Sequence, residues 1–339
     1  MNIKKTTILA ALIFLIVGAF VAETLIKKET DPSVIFFENQ KLLGKMVKNK
    51  GIYQTYSYFR SNFKKYDPST NHYLGHYLGE QAYKILDEKG FDVCDFGLDY
   101  GCIHGFVIAG INEKGKGFFD TVMDKCKSID VDDVSRGSCI HGVSHTVLSL
   151  KGYKFDDLKW ALNKCDNLLK DDVSDGPGAC YSAVFMEFNL MSLDGEKNGN
   201  WFVTRKFDDT KPIYPCDGLD VRYQWACFSE LGSFWSNSFD LDFGRMATYC
   251  NLADVKKSKE GCYWGVGRTM ADLYKYDVPK IGAECKRISQ ATLISSCIRG
   301  ASVVMLNNGV KNAPQICDYL TADDKTSCDN FFKNNKSLN

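Results

Sequence analysis

Several common chemical signatures are absent from this chain, and each absence removes a class of function. Basic and acidic residues are equal in number, 42 of each, so the formal net charge is zero. A chain that binds nucleic acid through its surface charge carries an excess of lysine and arginine, so we expect no nucleic-acid partner. No C-x2-C spacing occurs, which excludes zinc ribbons and thioredoxin-type redox motifs. The C-x-x-C-H motif that attaches c-type haem is missing as well.

The motifs of familiar catalytic and nucleotide-binding sites are also missing. The chain contains no G-x-S-x-G, H-E-x-x-H, Walker loop or dinucleotide fingerprint. The acidic runs DVDD (130–133) and DDVSD (171–175) lack the spacing of an EF-hand and are interpreted as polar loops and helix caps. Histidine is scarce, with five residues in the whole chain and none after residue 145. Any histidine-based chemistry therefore depends on very few positions.

An uncharged apolar run over residues 6–22 follows the short basic start MNIKK. Its 17 residues are long for the core of a signal peptide and short for a membrane span. We predict that residues 1–28 form a signal peptide or a membrane anchor, with Lys4 and Lys5 on the cytoplasmic side. The rest of the chain is then exported and extracytoplasmic, and the membrane is a partner through this N-terminal helix.

Fourteen cysteines follow, and none lies in the apolar run. In an exported chain a high, even number of cysteines indicates disulfides. The cysteines fall into seven successive pairs whose members are 8 to 15 positions apart, and we predict a local bridge within each pair. The predicted bridges are Cys94–Cys102, Cys126–Cys139, Cys165–Cys180, Cys216–Cys227, Cys250–Cys262, Cys285–Cys297 and Cys317–Cys328.

The sequence around these pairs repeats with a period of 31 to 47 residues, which is typical of helical-hairpin arrays. A helix-like stretch such as FFDTVMDKC (118–126) precedes the first cysteine, and an apolar segment such as CIHGFVIAGI (102–111) begins at the second. We predict units of helix A, loop and helix B, in which a disulfide joins the end of A to the start of B. Segments 51–69 and 71–88 extend the pattern backward without cysteine, giving about eight hairpins. An insertion at 194–215, rich in turn and β-type residues, interrupts the rhythm and is predicted to be a loop or small hairpin.

At the level of architecture, this pattern over residues 50–335 resembles tetratricopeptide-like α-solenoids, and in particular exported versions with disulfide-stapled hairpins. The usual tetratricopeptide signature residues are missing. The resemblance implies an all-α superhelix over residues 29–335, followed by a short tail at 336–339. It also implies a concave surface that binds a protein or a peptide, but it implies no chemistry.

The five histidines occupy related positions when the B segments are superimposed with the second cysteine at position zero. His104 and His141 then lie at plus two and His145 at plus six. When the cysteine-free first unit is aligned with Thr70 at position zero, His72 lies at plus two and His76 at plus six. Residues four apart share a helix face, and helices packed about 8–10 Å apart bring such faces together. We predict one site for zinc, copper, iron or haem, made by His72, His76, His104, His141 and His145.

Other side chains are candidates for supporting roles. Glu80, four residues beyond His76, is a candidate ligand or catalytic base, and Arg268 and Arg299 are candidates for contacting a substrate. Glu187 and Glu230 are candidate acids, although carboxylates on helix faces are usually solvated. One hypothesis is a metal-dependent enzyme, and another is a non-catalytic scaffold for a protein, peptide or glycan. In a third, the histidines serve only packing.

Overall fold

The computed structural model is built from helices, and no strand occurs in the residues it describes. The predicted signal or anchor at 1–28 and the tail at 336–339 lie outside those residues. No helix within them is both long and apolar enough to cross a membrane. The described residues are 32–62, 68–94, 101–129, 133–170, 176–191, 204–239 and 241–334.

The chain divides into two compact units, the first ending at Ser128 and the second beginning at Ile129. In the first unit, a 3₁₀ helix over Asp87–Val93 precedes the disulfide-bonded Cys94. The α-helices of this unit are α1 (Pro32–Lys50), α2 (Ile52–Asn62), α3 (Pro68–Leu86), α4 (Gly101–Lys114) and α5 (Gly117–Lys127).

The second unit alternates longer and shorter helices. Its 3₁₀ helices are His145–Leu150, Cys216–Gly218, Ala291–Leu293 and Ala313–Tyr319. Its α-helices are α6 (Asp133–Ser144), α7 (Phe155–Leu169), α8 (Gly176–Leu190), α9 (Val221–Ser238), α10 (Phe243–Cys250), α11 (Lys256–Leu273), α12 (Val278–Ile288), α13 (Ile294–Asn307) and α14 (Ala322–Asn334).

The predicted disulfide framework is confirmed. Six of the predicted pairs are bridged at Cα separations of 5.4 to 5.9 Å, and Cys126 and Cys139 are disulfide-bonded too. The bridges sit further inside the helices than expected. Cys165 is followed by another turn of α7, and Cys262 is the seventh residue of α11. The polar loops between paired helices are correspondingly shorter than the sequence suggested.

Successive B helices pack directly against one another. In the first unit α3 packs against α4, and in the second unit α6, α8, α9, α11 and α13 contact each other in that order. The A helices pack against the B helices, as α7 packs against α8 and α10 against α11. The all-α repeat architecture inferred from the cysteine pattern is therefore confirmed.

Glycine permits the close approach of these B helices. A Cβ atom added at Gly265 of α11 would lie 2.1 Å from the backbone oxygen of Ser229 on α9. One added at Gly300 of α13 would lie 1.9 Å from the backbone oxygen of Trp264. The backbones therefore touch at positions where any side chain would collide, which compensates for the helix cost of about 1 kcal/mol that glycine carries.

Aspartates fix the start of several helices in the second unit. Asp220, Asp242 and Asp277 each accept a hydrogen bond from a backbone N–H in the first turn of α9, α10 and α12, respectively. Such N-caps satisfy backbone donors that the helix itself leaves unpaired, and each stabilises a helix by about 1 kcal/mol.

The described part of the insertion, residues 204–215, contains turns and no strand. Arg205 anchors it, since its guanidinium donates to the Asn189 side-chain oxygen and to the Tyr214 carbonyl oxygen. The same group lies 3.9 Å from the centre of the Phe234 ring. Burial in this aromatic surrounding lowers the pKa of Arg205 to about 10. The insertion is therefore held against α8 and α9 by a cation packed on aromatic rings.

Candidate metal centre

Three of the predicted histidines meet in the first unit. His72 and His76 lie one turn apart on α3, and His104 lies on α4. Nε2 of His76 is 3.0 Å from Nε2 of His72 and 3.1 Å from Nδ1 of His104. One nitrogen from each ring can be chosen so that all three lie within 4.8 Å of one another. Within the described residues, no other group of three histidine, cysteine or acidic side chains meets that criterion.

Glycines on both helices bring these rings together. A Cβ at Gly105 of α4 would lie 1.9 Å from the backbone oxygen of His76. One at Gly79 of α3 would lie 1.9 Å from the backbone oxygen of Cys102, and one at Gly101 would lie 2.2 Å from that of His72. Because α3 and α4 are in backbone contact at the histidine turns, side chains from the two helices can share one point.

The same contacts correct the predicted register. In later repeats the glycine at plus three touches the carbonyl of the residue at plus two on the preceding helix, as Gly265 touches Ser229. Gly105 touches His76, so His76 belongs at plus two and His72 at minus two. Position zero of the first unit is therefore Leu74, and the alignment on Thr70 was wrong by one helical turn. A segment without cysteine offered no marker of its register.

The three-histidine group is mostly shielded from solvent. His76 and His104 are each about 1% exposed, and His72 is partly exposed. An imidazole nitrogen has one in-plane direction, which carries either a proton or a lone pair. His76 Nε2 faces two other ring nitrogens, and one proton cannot form two good hydrogen bonds at once. A metal ion placed among the rings would instead accept a lone pair from each.

The separations of the nitrogens suit a metal ion better than a haem. Neighbouring ligand nitrogens around a tetrahedral zinc lie about 3.3 Å apart at bond lengths of about 2.0–2.1 Å. The two axial ligands of a haem lie on opposite sides of the iron, about 4 Å apart at similar bond lengths. Distances of 3.0 and 3.1 Å match ligands that share one side of an ion.

Glu80 lies outside the three-histidine group, and its role as a ligand or base stays a prediction. Its carboxylate forms an ion pair with Lys84, one turn along α3, and both side chains are well exposed. It lines a surface cleft together with Tyr83 and Glu113, and it is not a member of the three-histidine group.

His141 and His145 form a separate pair in the second unit. Their Nε2 atoms are 3.1 Å apart, and His141 Nδ1 lies 3.2 Å from the carbonyl oxygen of Ala179 on α8. His145 Nδ1 lies 3.8 Å from a carboxylate oxygen of Glu187, whose other oxygen accepts a hydrogen bond from Tyr153. The structure thus places this pair in a network of its own, and a single site with all five rings stays a prediction.

The expectation of solvated carboxylates at Glu187 and Glu230 was wrong. Glu187 and Glu230 are about 0% and 1% exposed. Glu230 accepts hydrogen bonds from Ser182 and from Arg268, so the predicted substrate-binding arginine is held in a buried ion pair. The apolar context of both acids, VFMEFNL and CFSELGSFW, was the available signal for burial. Tyr153 was not identified from the sequence as a partner of Glu187, because nothing in the polar segment around it indicates this contact.

Burial is the main reason that His141 is neutral. Burial, with a smaller effect from neighbouring His145, lowers the pKa of His141 to about 3. The negative charge of Glu230 acts in the opposite direction, and Arg268 adds to the lowering. His141 is therefore a neutral imidazole at neutral pH, with one protonated ring nitrogen and one lone pair.

No family model, curated protein or solved structure matches this chain. The resemblance to tetratricopeptide-like solenoids accordingly holds at the level of architecture. Seven disulfides point to an oxidising, extracytoplasmic compartment, because thiols are kept reduced in the cytosol. Function has to be argued from the two histidine groups, since the fold carries no specific activity.

Proposed function

We propose that this is an extracytoplasmic metal-binding protein whose His72, His76 and His104 bind one transition-metal ion. The observation that carries the proposal is the convergence of three imidazole nitrogens within 4.8 Å from two helices in backbone contact. Imidazole is a preferred ligand of zinc and copper, and three histidines are a recurrent ligand set for zinc. Zinc and copper are the ions we favour.

A three-histidine site leaves a coordination position open for water or another ligand. His72 is the partly exposed member of the group, so we infer that this position faces the side of His72. An ion held there supplies Lewis acidity, and zinc in such sites lowers the pKa of bound water to about 7. These properties would suit either metal transport or metal-assisted hydrolysis, while a protein, peptide or glycan partner stays a prediction.

The proposal predicts that His76→Gln weakens zinc binding at this site by about 100-fold or more. His76 Nε2 is within 3.1 Å of both other rings, so its loss leaves two ligands with no shared neighbour. Loss of an outer-shell partner typically costs 10–100-fold in metal affinity, and loss of a ligand should cost at least as much. The measurement is zinc affinity by competition with a chromophoric chelator, using full-length protein with intact disulfides and no histidine tag.

The matched control is His145→Gln, which removes a buried histidine but leaves the three-histidine group intact. We expect it to bind zinc at the three-histidine group as tightly as wild type does. Circular dichroism and urea unfolding of both variants separate a lost ligand from a lost fold. Wild-type protein that binds no zinc or copper, or a His76→Gln protein that binds zinc as tightly as wild type, would contradict the proposal.

A further inference from the structure

The His141–His145 pair has the surroundings of metal-binding histidines, although only two rings are present. Histidines that bind a metal almost always donate their other ring N–H to a carboxylate or a backbone carbonyl. His141 Nδ1 is within hydrogen-bond distance of the Ala179 carbonyl oxygen, at 3.2 Å, and His145 Nδ1 lies at an ion-pair distance of 3.8 Å from a Glu187 carboxylate oxygen. The Nδ1 atoms of both rings therefore face oxygen acceptors, and the two Nε2 atoms face each other at 3.1 Å.

These contacts favour one arrangement of the ring protons. A carbonyl oxygen only accepts, so His141 carries its proton on Nδ1. Glu187 accepts from the Tyr153 hydroxyl through Oε1, which leaves Oε2 to face His145 Nδ1–H. With the protons on the two Nδ1 atoms, the two Nε2 atoms carry lone pairs that one metal ion can accept together.

We propose that His141 and His145 bind a second divalent transition-metal ion through their Nε2 atoms, with Glu187 and the Ala179 carbonyl orienting the rings. The 3.1 Å separation suits two neighbouring ligands of one ion, for which about 2.9–3.3 Å is expected at bond lengths of about 2.0–2.1 Å. The ion is of the zinc or copper class, which imidazole nitrogen prefers.

The neighbouring carboxylate favours a cation here. Glu230 is buried, and its Oε1 accepts from Ser182 and Arg268. Its Oε2 has no hydrogen-bond partner within the described residues. A buried carboxylate oxygen without a donor is costly, and a nearby metal ion offsets that cost. His141 is partly exposed, which leaves the pair a route to solvent.

The test is carried out in a His72→Gln/His76→Gln/His104→Gln background, so that it does not depend on the site in the first unit. We expect this protein to bind one Cu²⁺ per chain, with electron paramagnetic resonance showing hyperfine coupling to two imidazole nitrogens. Adding His141→Gln and His145→Gln should abolish that signal. Failure of the three-histidine proposal alone would leave this result unchanged.

Glu187→Gln in the same background tests the orienting role. It keeps the size of the side chain but weakens the acceptor for His145 Nδ1–H, and we expect Cu²⁺ affinity to fall about 10–100-fold. The matched control is Glu260→Gln on α11, a partly exposed carboxylate that pairs with Lys256, which should leave affinity unchanged. A folded background protein that binds no Cu²⁺, or binds it without two nitrogen ligands, would overturn the site. An unchanged affinity in Glu187→Gln would overturn the assignment of Glu187.

Discussion

We expect the replacement of Gly105 by alanine to push α3 and α4 apart. The three histidines would then no longer meet at one point. The new Cβ would lie 1.9 Å from the backbone oxygen of His76 and 2.6 Å from its carbonyl carbon. Backbone atoms cannot rotate away as a side chain can, so the helices must move apart. Overpacking of this kind costs typically about 1–3 kcal/mol and sometimes more, and we expect the upper end of that range.

Two measurements check this result. Urea unfolding should show the loss of stability, and zinc competition should show a loss of affinity similar to that of His76→Gln. The control is Gly117→Ala at the start of α5, where an added Cβ meets no atom within 4 Å. That variant should be as stable as wild type or slightly more stable, since alanine restricts the unfolded chain. A Gly105→Ala protein with wild-type stability and zinc affinity would show that α3 and α4 are not in backbone contact.

Replacing Arg268 by methionine is expected to destabilise the second unit by about 3–5 kcal/mol. Arg268 Nη1 lies 2.9 Å from Glu230 Oε1, and the two side chains are 24% and 0% exposed. Removing the cation leaves a buried carboxylate to which, among the residues that the structure describes, the Ser182 hydroxyl still donates. Breaking a buried ion pair from one side typically costs this much, because the remaining charge is uncompensated.

The double variant Glu230→Gln/Arg268→Met provides the sharpest check by urea unfolding. With the carboxylate neutralised, most of the lost stability should return, which a simple loss of arginine packing would not allow. The control Lys325→Met breaks an exposed ion pair with Asp318, and we expect little change in stability. If the single and double variants at Arg268 were equally unstable, the buried charge would not be the cause.

The disulfide framework could be predicted because its information is local. The paired cysteines are 8 to 15 residues apart, and pairs such as Cys165–Cys180, Cys250–Cys262 and Cys285–Cys297 join helices that are consecutive in the chain. Short loops confine such helices to neighbouring positions, so spacing alone identified the partners. The H-x3-H spacing likewise fixed that His72 and His76, and His141 and His145, lie one turn apart on the same face.

The register of the first repeat depends on contacts between two helices and could not be read from the sequence of either helix. Gly79, Gly101 and Gly105 determine how far α3 slides along α4, and their contacts are with backbone atoms of the other helix. Three glycines in a sequence do not reveal which carbonyl each will touch. The prediction therefore placed His72 and His76 one helical turn away from their positions in the repeat.

Residue patterns along the chain were enough to predict an all-helical, disulfide-bonded repeat and a small set of histidines on its B helices. The packing of the helices was needed to show that His104 joins His72 and His76, and that Glu187 and Glu230 are buried beside other polar groups. The physical reason is that helix periodicity and cysteine spacing act within a hairpin. The meeting of imidazoles and carboxylates depends instead on how closely one hairpin packs against the next, which the glycine contacts set.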